Sequence, residues 1–196
     1  MSFPVILDDI YTYDRSLIEI LIPHRSPFLM VDSIVSVQAG KNPSMLANYT
    51  IKDREPEYSC NGSDGHWPSI CIIEGLGQCC NLMIVIWALE KGLMKAGMRF
   101  NALGEVLKRL MDDEPDEITG LLKAILHQRR METYSSVGFL GSANMEITGH
   151  ARQGRVISYE VRLNQIFGTI FHSSVRAYTN NYLIASGTMV SATRKD

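Results

Sequence analysis

The chain has 196 residues, which is the size of one compact domain. Hydrophobic residues make up 45% of it and charged residues 20%, which excludes a disordered chain, a coiled-coil rod or a collagen-like fibre. The 19 Lys and Arg residues nearly balance the 21 Asp and Glu residues, and the net charge is -2. No basic field attracts nucleic acid or anionic lipid, so we expect neither as a partner.

The sequence also argues against membrane insertion and secretion. Its longest apolar run, residues 82–89, is much shorter than the roughly 20 residues that a membrane span requires. Acidic residues at positions 8, 9 and 14 are incompatible with a secretory signal. The four cysteines show no C-x-x-C spacing, which predicts neither a disulfide framework nor a zinc site. We therefore expect a cytoplasmic protein with reduced, buried thiols.

The first third of the chain predicts a helix, a hairpin and a long loop. Residues 15–22 carry apolar side chains at helical spacing, and Pro23 ends that helix. Residues 28–37 favour a strand, and a turn leads from it into a second strand that ends near residue 51. Residues 52–69 are polar and rich in turn formers, and a loop of that length is typical of a functional segment.

The central helix, predicted over residues 70–89, is apolar almost all round, with Ser69 expected to cap it. In a soluble protein such a helix must be buried on every side, and a curved sheet could surround it. Its strongly polar side chains are Glu74, Gln78 and Asn81, whose i, i+4, i+7 spacing places them on one face. Buried polar groups need polar partners, so this face is a candidate site.

Residues 92–134 differ in character and are interpreted as an insertion. Two amphipathic patterns, at residues 100–110 and 117–131, flank an acidic turn and predict a helical hairpin. An amphipathic hairpin needs a surface to cover, such as the mouth of an acyl tunnel or a subunit interface.

The remainder of the chain predicts an antiparallel meander. Asn180 and Asn181 suit a two-residue hairpin turn, because asparagine tolerates positive φ. The four predicted strands cover residues 136–148, 155–165, 169–179 and 182–193.

Two motifs resemble one protein family. The run ILIPHRSPFLMVD at residues 20–32 resembles the opening signature of the β-hydroxyacyl-acyl-carrier-protein dehydratases of fatty-acid synthesis. The run IIEGLGQ at residues 72–78 resembles the start of their central helix, and the strand pattern from residue 139 onward is similar. The resemblance implies the α+β hotdog fold, in which an antiparallel sheet wraps a long central helix. It covers a single domain, residues 1–196, with residues 92–134 inserted.

In that family a loop histidine and a helix carboxylate, from different subunits of a dimer, form the active site. Glu74 matches the carboxylate, but the histidine can be aligned in two ways. The GHWP motif matches the family's Gly-His-Phe-Pro and selects His66, although it lies too close to Glu74 in sequence. Aligning WPS with the family's later Pro-Gly turn instead puts the position on Cys60 or Asn61. We prefer the second alignment and keep both His66 and Asn61 as candidate catalytic residues.

The implied reaction removes water from a β-hydroxyacyl thioester, which needs a base, an acid and donors for the developing enolate oxygen. We expect His66 to act as the base, and Glu74 to act as the acid or to orient water. Asparagine takes no proton at neutral pH, so a site with Asn61 alone would be inactive. The expected substrate-binding groups are Gln78, which supports Glu74, and the first-turn N–H groups of Ser69, Ile70 and Cys71.

The leading function is thus a hydro-lyase acting on a thioester of acyl carrier protein or coenzyme A, in a homodimer or in a heterodimer with a related hotdog subunit. One alternative is a non-catalytic or half-site subunit of a heteromeric dehydratase. Another is a hotdog thioesterase, in which Glu74 activates water. No metal or other cofactor is implied. His24 and Arg25 are interpreted as a structural cap on the first strand.

Overall fold

The computed structural model describes residues 13–38, 43–52, 65–98, 102–112, 116–131 and 139–193. Helix α1 and strands β1 and β2 come first, followed by three helices and four further strands. The elements are α1 (Arg15–Leu21), β1 (Ser33–Gln38), β2 (Ser44–Thr50), α2 (Ser69–Lys95), α3 (Leu103–Met111), α4 (Glu117–Met131), β3 (Phe139–Ile147), β4 (Val156–Phe167), β5 (Ile170–Thr179) and β6 (Tyr182–Ala192).

The strands form one antiparallel sheet in the order β1-β2-β4-β5-β6-β3, and α2 packs against its inner face. Alternate residues of the strands point to the helix, as in β4, where Ile157, Tyr159, Val161 and Leu163 are buried. Fifteen residues of α2 are buried. The predicted α+β hotdog architecture is confirmed.

Two details differ from the sequence-based expectation. Strand β1 begins at Ser33 rather than at residue 28, because residues 25–29 form a turn in which the Leu29 N–H donates to the Arg25 carbonyl oxygen at 2.9 Å. The Gln78 side chain binds the backbone of Phe28 and Met30 after this turn. Strand β3 pairs with β6 and not with β4, so the meander comprises β4, β5 and β6, and β3 lies at the sheet edge. The hairpin turn is as predicted, since Asn180 and Asn181 have φ of 49° and 65°.

The amino terminus of α2 also differs. The helix begins at Ser69 with Pro68 in the N-cap position, and no side chain caps it. The predicted Ser69 cap is therefore wrong, because Ser69 is the first residue inside the helix, one position after the N-cap. By contrast, Asp14 caps α1, with its carboxylate accepting from the Leu17 N–H at 3.0 Å.

Helix α2 continues to Lys95, beyond the predicted end at residue 89, because Glu90 and Leu93 are also buried. Glu90 Oε1 accepts a hydrogen bond from the Leu103 N–H at 3.0 Å, so a buried carboxylate stabilises the first turn of α3. Helix α3 buries Val106 and Leu107. Helix α3 is thus anchored on the carboxyl-terminal half of α2, and α4 packs against α3.

Among the described helices, α2 is the one that is long and apolar enough to cross a membrane. Because 61% of its most apolar window is buried inside the protein, it serves as the core helix of the fold. Cys71, Cys79 and Cys80 are buried on it, as predicted, and burial raises the pKa of the Cys80 thiol to about 12. Cys60 lies outside the described residues.

Close packing between α2 and β4 requires glycine at position 75. A Cβ on Gly75 would overlap the hydroxyl and ring carbons of Tyr159, which is fully buried. A Cβ on Gly77 would lie at ordinary contact distance, 3.8 Å, from Leu140 Cδ2.

We expect Gly75→Ala to lower the free energy of unfolding by about 1–3 kcal/mol, because the Tyr159 ring must move in a packed core. Gly77→Ala, two residues away on the same helix, is the matched control. It should be neutral or stabilising by up to about 1 kcal/mol, since alanine favours helix over glycine. Urea denaturation followed by circular dichroism measures both. Equal effects of the two substitutions would contradict the packing described here.

Candidate active site

A partly open pocket of about 160 Å³ lies along the face of α2 that carries the polar residues. Its wall contains no described residue of α3 or α4. The pocket is bounded by α2, by the loop after α1 and by strands β3 and β6. Its walls include His24, Glu74, Gln78, Asn81, Leu140 and Ser191.

Gln78 connects the two motifs that the sequence singled out. Its Nε2 donates to the carbonyl oxygen of Phe28 at 2.6 Å and to Glu74 Oε1 at 2.8 Å. Its Oε1 accepts from the Met30 N–H at 2.9 Å. The Gln78 side chain is 2% exposed, and both ends of its amide are satisfied. One buried amide therefore fixes the loop at residues 28–30 against the carboxylate.

The imidazole of His24 faces the same carboxylate. His24 Nε2 lies 3.8 Å from Glu74 Oε1, and the two side chains are 30% and 45% exposed. Arg25 points the other way, and its guanidinium donates to the carbonyl oxygens of Glu19, Ile22 and His24. Arg25 therefore closes the end of α1, whereas His24 belongs to the pocket.

Burial lowers the pKa of His24; the nearby Glu74 carboxylate opposes this shift and Arg25 adds to it. The buried Nδ1 of His24 has no hydrogen-bond partner among the described residues. Protonating Nδ1 would create a buried donor without an acceptor, which also disfavours the charged ring. The neutral ring with its proton on Nε2, towards Glu74, fits this environment best.

His66, the predicted base, is not among the residues that line this pocket. His66 forms an isolated antiparallel bridge with Arg152, and its ring stacks on that of His150 with centroids 4.6 Å apart. The adjacent Trp67 N–H donates to the Ala151 carbonyl oxygen at 2.8 Å. These contacts hold the His66 segment against the loop before β4. Asn61 lies outside the described residues.

The first turn of α2 provides fewer donors than expected. The Cys71 N–H donates to the Pro68 carbonyl oxygen at 3.0 Å, so it is already used. The N–H groups of Ser69 and Ile70 have no backbone acceptor within the described segments. The Ile70 side chain is 68% exposed and lies one turn before Glu74 on the same face.

Sequence reasoning missed His24 as a member of this site. The available signal was its position inside the 20–32 motif, together with a glutamine on an apolar helix that needed partners elsewhere in the chain. A single sequence does not show that Gln78 binds the backbone of that motif, which is what brings His24 to Glu74. Among the described residues, no cluster of three or more His, Cys, Asp or Glu could hold a metal ion.

Comparison with known proteins confirms the resemblance read from the sequence. No family model matches the chain. It is 23% identical to the 3-hydroxyacyl-acyl-carrier-protein dehydratase FabZ of Clostridioides difficile over 88% of the chain and 91% of that relative. It is 40% identical to the FabZ of Caldicellulosiruptor bescii, over 30% of the chain and 41% of that relative. The chain is thus similar to these dehydratases at low sequence identity over most of its length.

Solved structures show the same fold. The dehydratase heterocomplex ApeI:P from Xenorhabdus doucetiae superposes with a TM-score of 0.58 at 14% identity, covering 91% of each chain. Cj0977, a sigma28-regulated virulence protein from Campylobacter jejuni, superposes with a TM-score of 0.54 at 9% identity, covering 93% of this chain and 89% of that one. At these identities the likeness shows the hotdog fold alone.

The lowered pKa of His24 predicts a pH dependence of stability. Below its ordinary pKa of 6.5, the unfolded chain binds a proton that the folded protein does not. The contribution of His24 to the free energy of unfolding is therefore fully present above pH 6.5. It is lost as the pH falls towards the pKa of His24 in the folded protein. We expect His24→Gln to show a shallower loss of stability than the wild type between about pH 7.5 and pH 5.5. Chemical denaturation at a series of pH values measures it, and parallel curves would contradict the lowered pKa.

Proposed function

We propose that the chain is a dehydratase-like protein that removes water from a β-hydroxyacyl thioester carried on acyl carrier protein or coenzyme A. The observation that carries the proposal is the Glu74 carboxylate, held by Gln78 and faced by His24 at a pocket beside the core helix. The similarity to a FabZ dehydratase over 88% of the chain supports the same reaction class. A cytoplasmic location agrees with this role and is part of the proposal.

The geometry suggests how one carboxylate can serve the reaction. Glu74 Oε1 is engaged by Gln78 and faced by His24, which leaves Oε2 for a substrate. The carboxylate takes the α-proton, the α-electron pair forms the double bond, and the carbon–oxygen bond at the β-position breaks. The same carboxyl then returns its proton to the departing hydroxide, which leaves as water. His24 and Gln78 are positioning residues in this scheme.

The assignment of His66 as a base remains a proposal that requires a second chain or a movement of its loop, because in the described chain it packs against His150. A half-site subunit is therefore the second candidate function, in which this chain contributes Glu74 and a related hotdog subunit contributes a histidine. The ApeI:P dehydratase being a heterocomplex supports that possibility.

The sheet edge supports pairing with a second hotdog chain. At one edge, the backbone of Tyr13 pairs with β1 at Ile34 through two hydrogen bonds of 2.8 and 3.0 Å. At the other edge, β3 has no further strand within the described residues, and residues 140–144 are all exposed. Leu140 of β3 also lines the Glu74 pocket. A chain that pairs with β3 would therefore lie next to the candidate site.

Dimerisation through β3 can be tested with charges on each edge. We expect Ala143→Lys to raise the dimer dissociation constant at least about tenfold, because like charges would meet across paired strands. Gln38→Lys, on β1 at the opposite edge of the sheet, should leave association unchanged. Sedimentation equilibrium measures both, alone and with any co-purified hotdog subunit. A wild type that is monomeric in every preparation would contradict the paired-edge proposal.

The catalytic proposal is tested with β-hydroxyacyl thioesters, by following enoyl thioester formation. Glu74→Gln should lower the rate by at least about a hundredfold, the usual contribution of a general acid or base. Glu117→Gln, an exposed carboxylate on α4, is the matched control and should be neutral. His24→Gln should reduce the rate less than Glu74→Gln. His66→Ala should leave the rate unchanged unless the His66 ring of a second chain reaches the site.

Each outcome selects among the candidate functions. Free acid and thiol as products would show a thioesterase. Activity only after a hotdog partner is added would favour the half-site subunit. Full activity of Glu74→Gln would overturn the proposed role of the carboxylate.

A further inference from the structure

The pocket extends beyond the residues that the proposed reaction uses. Asn81 lies seven residues after Glu74 on the same face of α2, which places it about 10 Å further along the helix. Ser191 of β6 lines the pocket from the sheet side. The part of the pocket beyond Gly77 therefore has a polar side chain on its helix wall and another on its sheet wall.

Ser191 is the polar member of an otherwise apolar row across the sheet. It pairs with Leu140 of β3 on one side and with Phe171 of β5 on the other. Ser191 is 7% exposed, and Phe171 packs into a small apolar cluster with Ile84 and Leu163. An unsubstituted alkyl chain would be best accommodated by apolar residues throughout this row.

The side chains of Asn81 and Ser191 form no hydrogen bonds with other described residues. No hydrogen bond of the Asn81 amide or the Ser191 hydroxyl to another side chain or to the backbone is present within the described segments. An apolar group placed against them would remove their water without replacing its hydrogen bonds, which is unfavourable. A hydroxyl or carbonyl group of a bound acyl chain at this position would form hydrogen bonds with Asn81 and Ser191 instead.

The helix face leaves a path from the carboxylate to these groups. Gly77 lies between Glu74 and Asn81, and even a Cβ there would come within 3.8 Å of Leu140 Cδ2. The absence of a side chain at position 77 therefore keeps the pocket open between helix and sheet. At the far end, Ile84 is part of the pocket wall and is backed by Leu163 and Phe171.

We propose that Asn81 and Ser191 form a specificity site for acyl chains that carry a hydrogen-bonding oxygen, a hydroxyl or a keto group, about 10 Å from the reacting carbons. This inference rests on the proposed function, because it assumes that the thioester end lies at Glu74 and the acyl chain follows α2. The substrate class is thus an oxygenated acyl thioester rather than a plain alkyl one.

The test measures binding separately from turnover. The probes are two unreactive pantetheine amides of equal chain length, one with a plain alkyl chain and one with a hydroxyl at the predicted depth. Isothermal titration should show the hydroxylated amide binding wild-type protein about tenfold more tightly, within the range that one hydrogen-bonding contact supplies. Asn81→Leu should remove or reverse that preference. Asn164→Leu, on the outer face of β4, is the matched control and should keep it.

Two further variants make the result decisive. Asn81→Ser keeps a small polar group and should retain part of the preference, so a folding defect of Asn81→Leu would not hide the answer. Gly77→Val should weaken both long amides while leaving a two-carbon amide unaffected.

The outcomes separate this inference from the function on which it rests. If both long amides bind wild type and Asn81→Leu with the same preference while β-hydroxyacyl thioesters are still dehydrated, the specificity site is wrong and the dehydratase proposal stands. If Asn81→Leu changes the oligomeric state and not the preference, Asn81 belongs to a subunit interface and the specificity site is again wrong. If no amide binds and no thioester is converted, both proposals fail.

Discussion

The burial of helix α2 is the constraint that the rest of the structure satisfies. The helix is apolar on almost every side, so it is stable in water only when other elements surround it. The curved sheet covers one side, the segment around α1 another, and α3 packs on its carboxyl-terminal half. One strip of α2 remains accessible, and it carries Glu74, Gly77 and Asn81.

A buried amide converts that strip into a defined site. Gln78 makes three hydrogen bonds, two to the backbone around residues 28–30 and one to Glu74. Breaking them would leave a fully buried amide unsatisfied, which costs more than the bonds themselves contribute. The same bonds hold the backbone of Phe28 and Met30 just before β1, so the site lies directly beside the start of the sheet.

The two proposals place catalysis and recognition at separate points along one helix face. In the proposed reaction, the Glu74 carboxylate transfers the proton and His24, 3.8 Å away, positions it. In the proposed specificity site, about two helical turns further on, Asn81 and Ser191 of the same pocket bind an oxygen of the acyl chain. The exposed edge strand β3 borders the same pocket, so a second hotdog chain could control access to it.

The sequence by itself determined the elements, the central helix and the carboxylate, because periodicity, turn residues and a polar stripe on an apolar helix are local properties. It also identified Gln78 as the neighbour of Glu74, since residues four apart share a helix face. Only the tertiary structure shows that His24 lies beside Glu74, that the His66 ring stacks on His150 and that β3 pairs with β6 at the sheet edge. These pairings join residues far apart in the chain, and which of them form depends on how the sheet closes around α2, a property that no local pattern encodes.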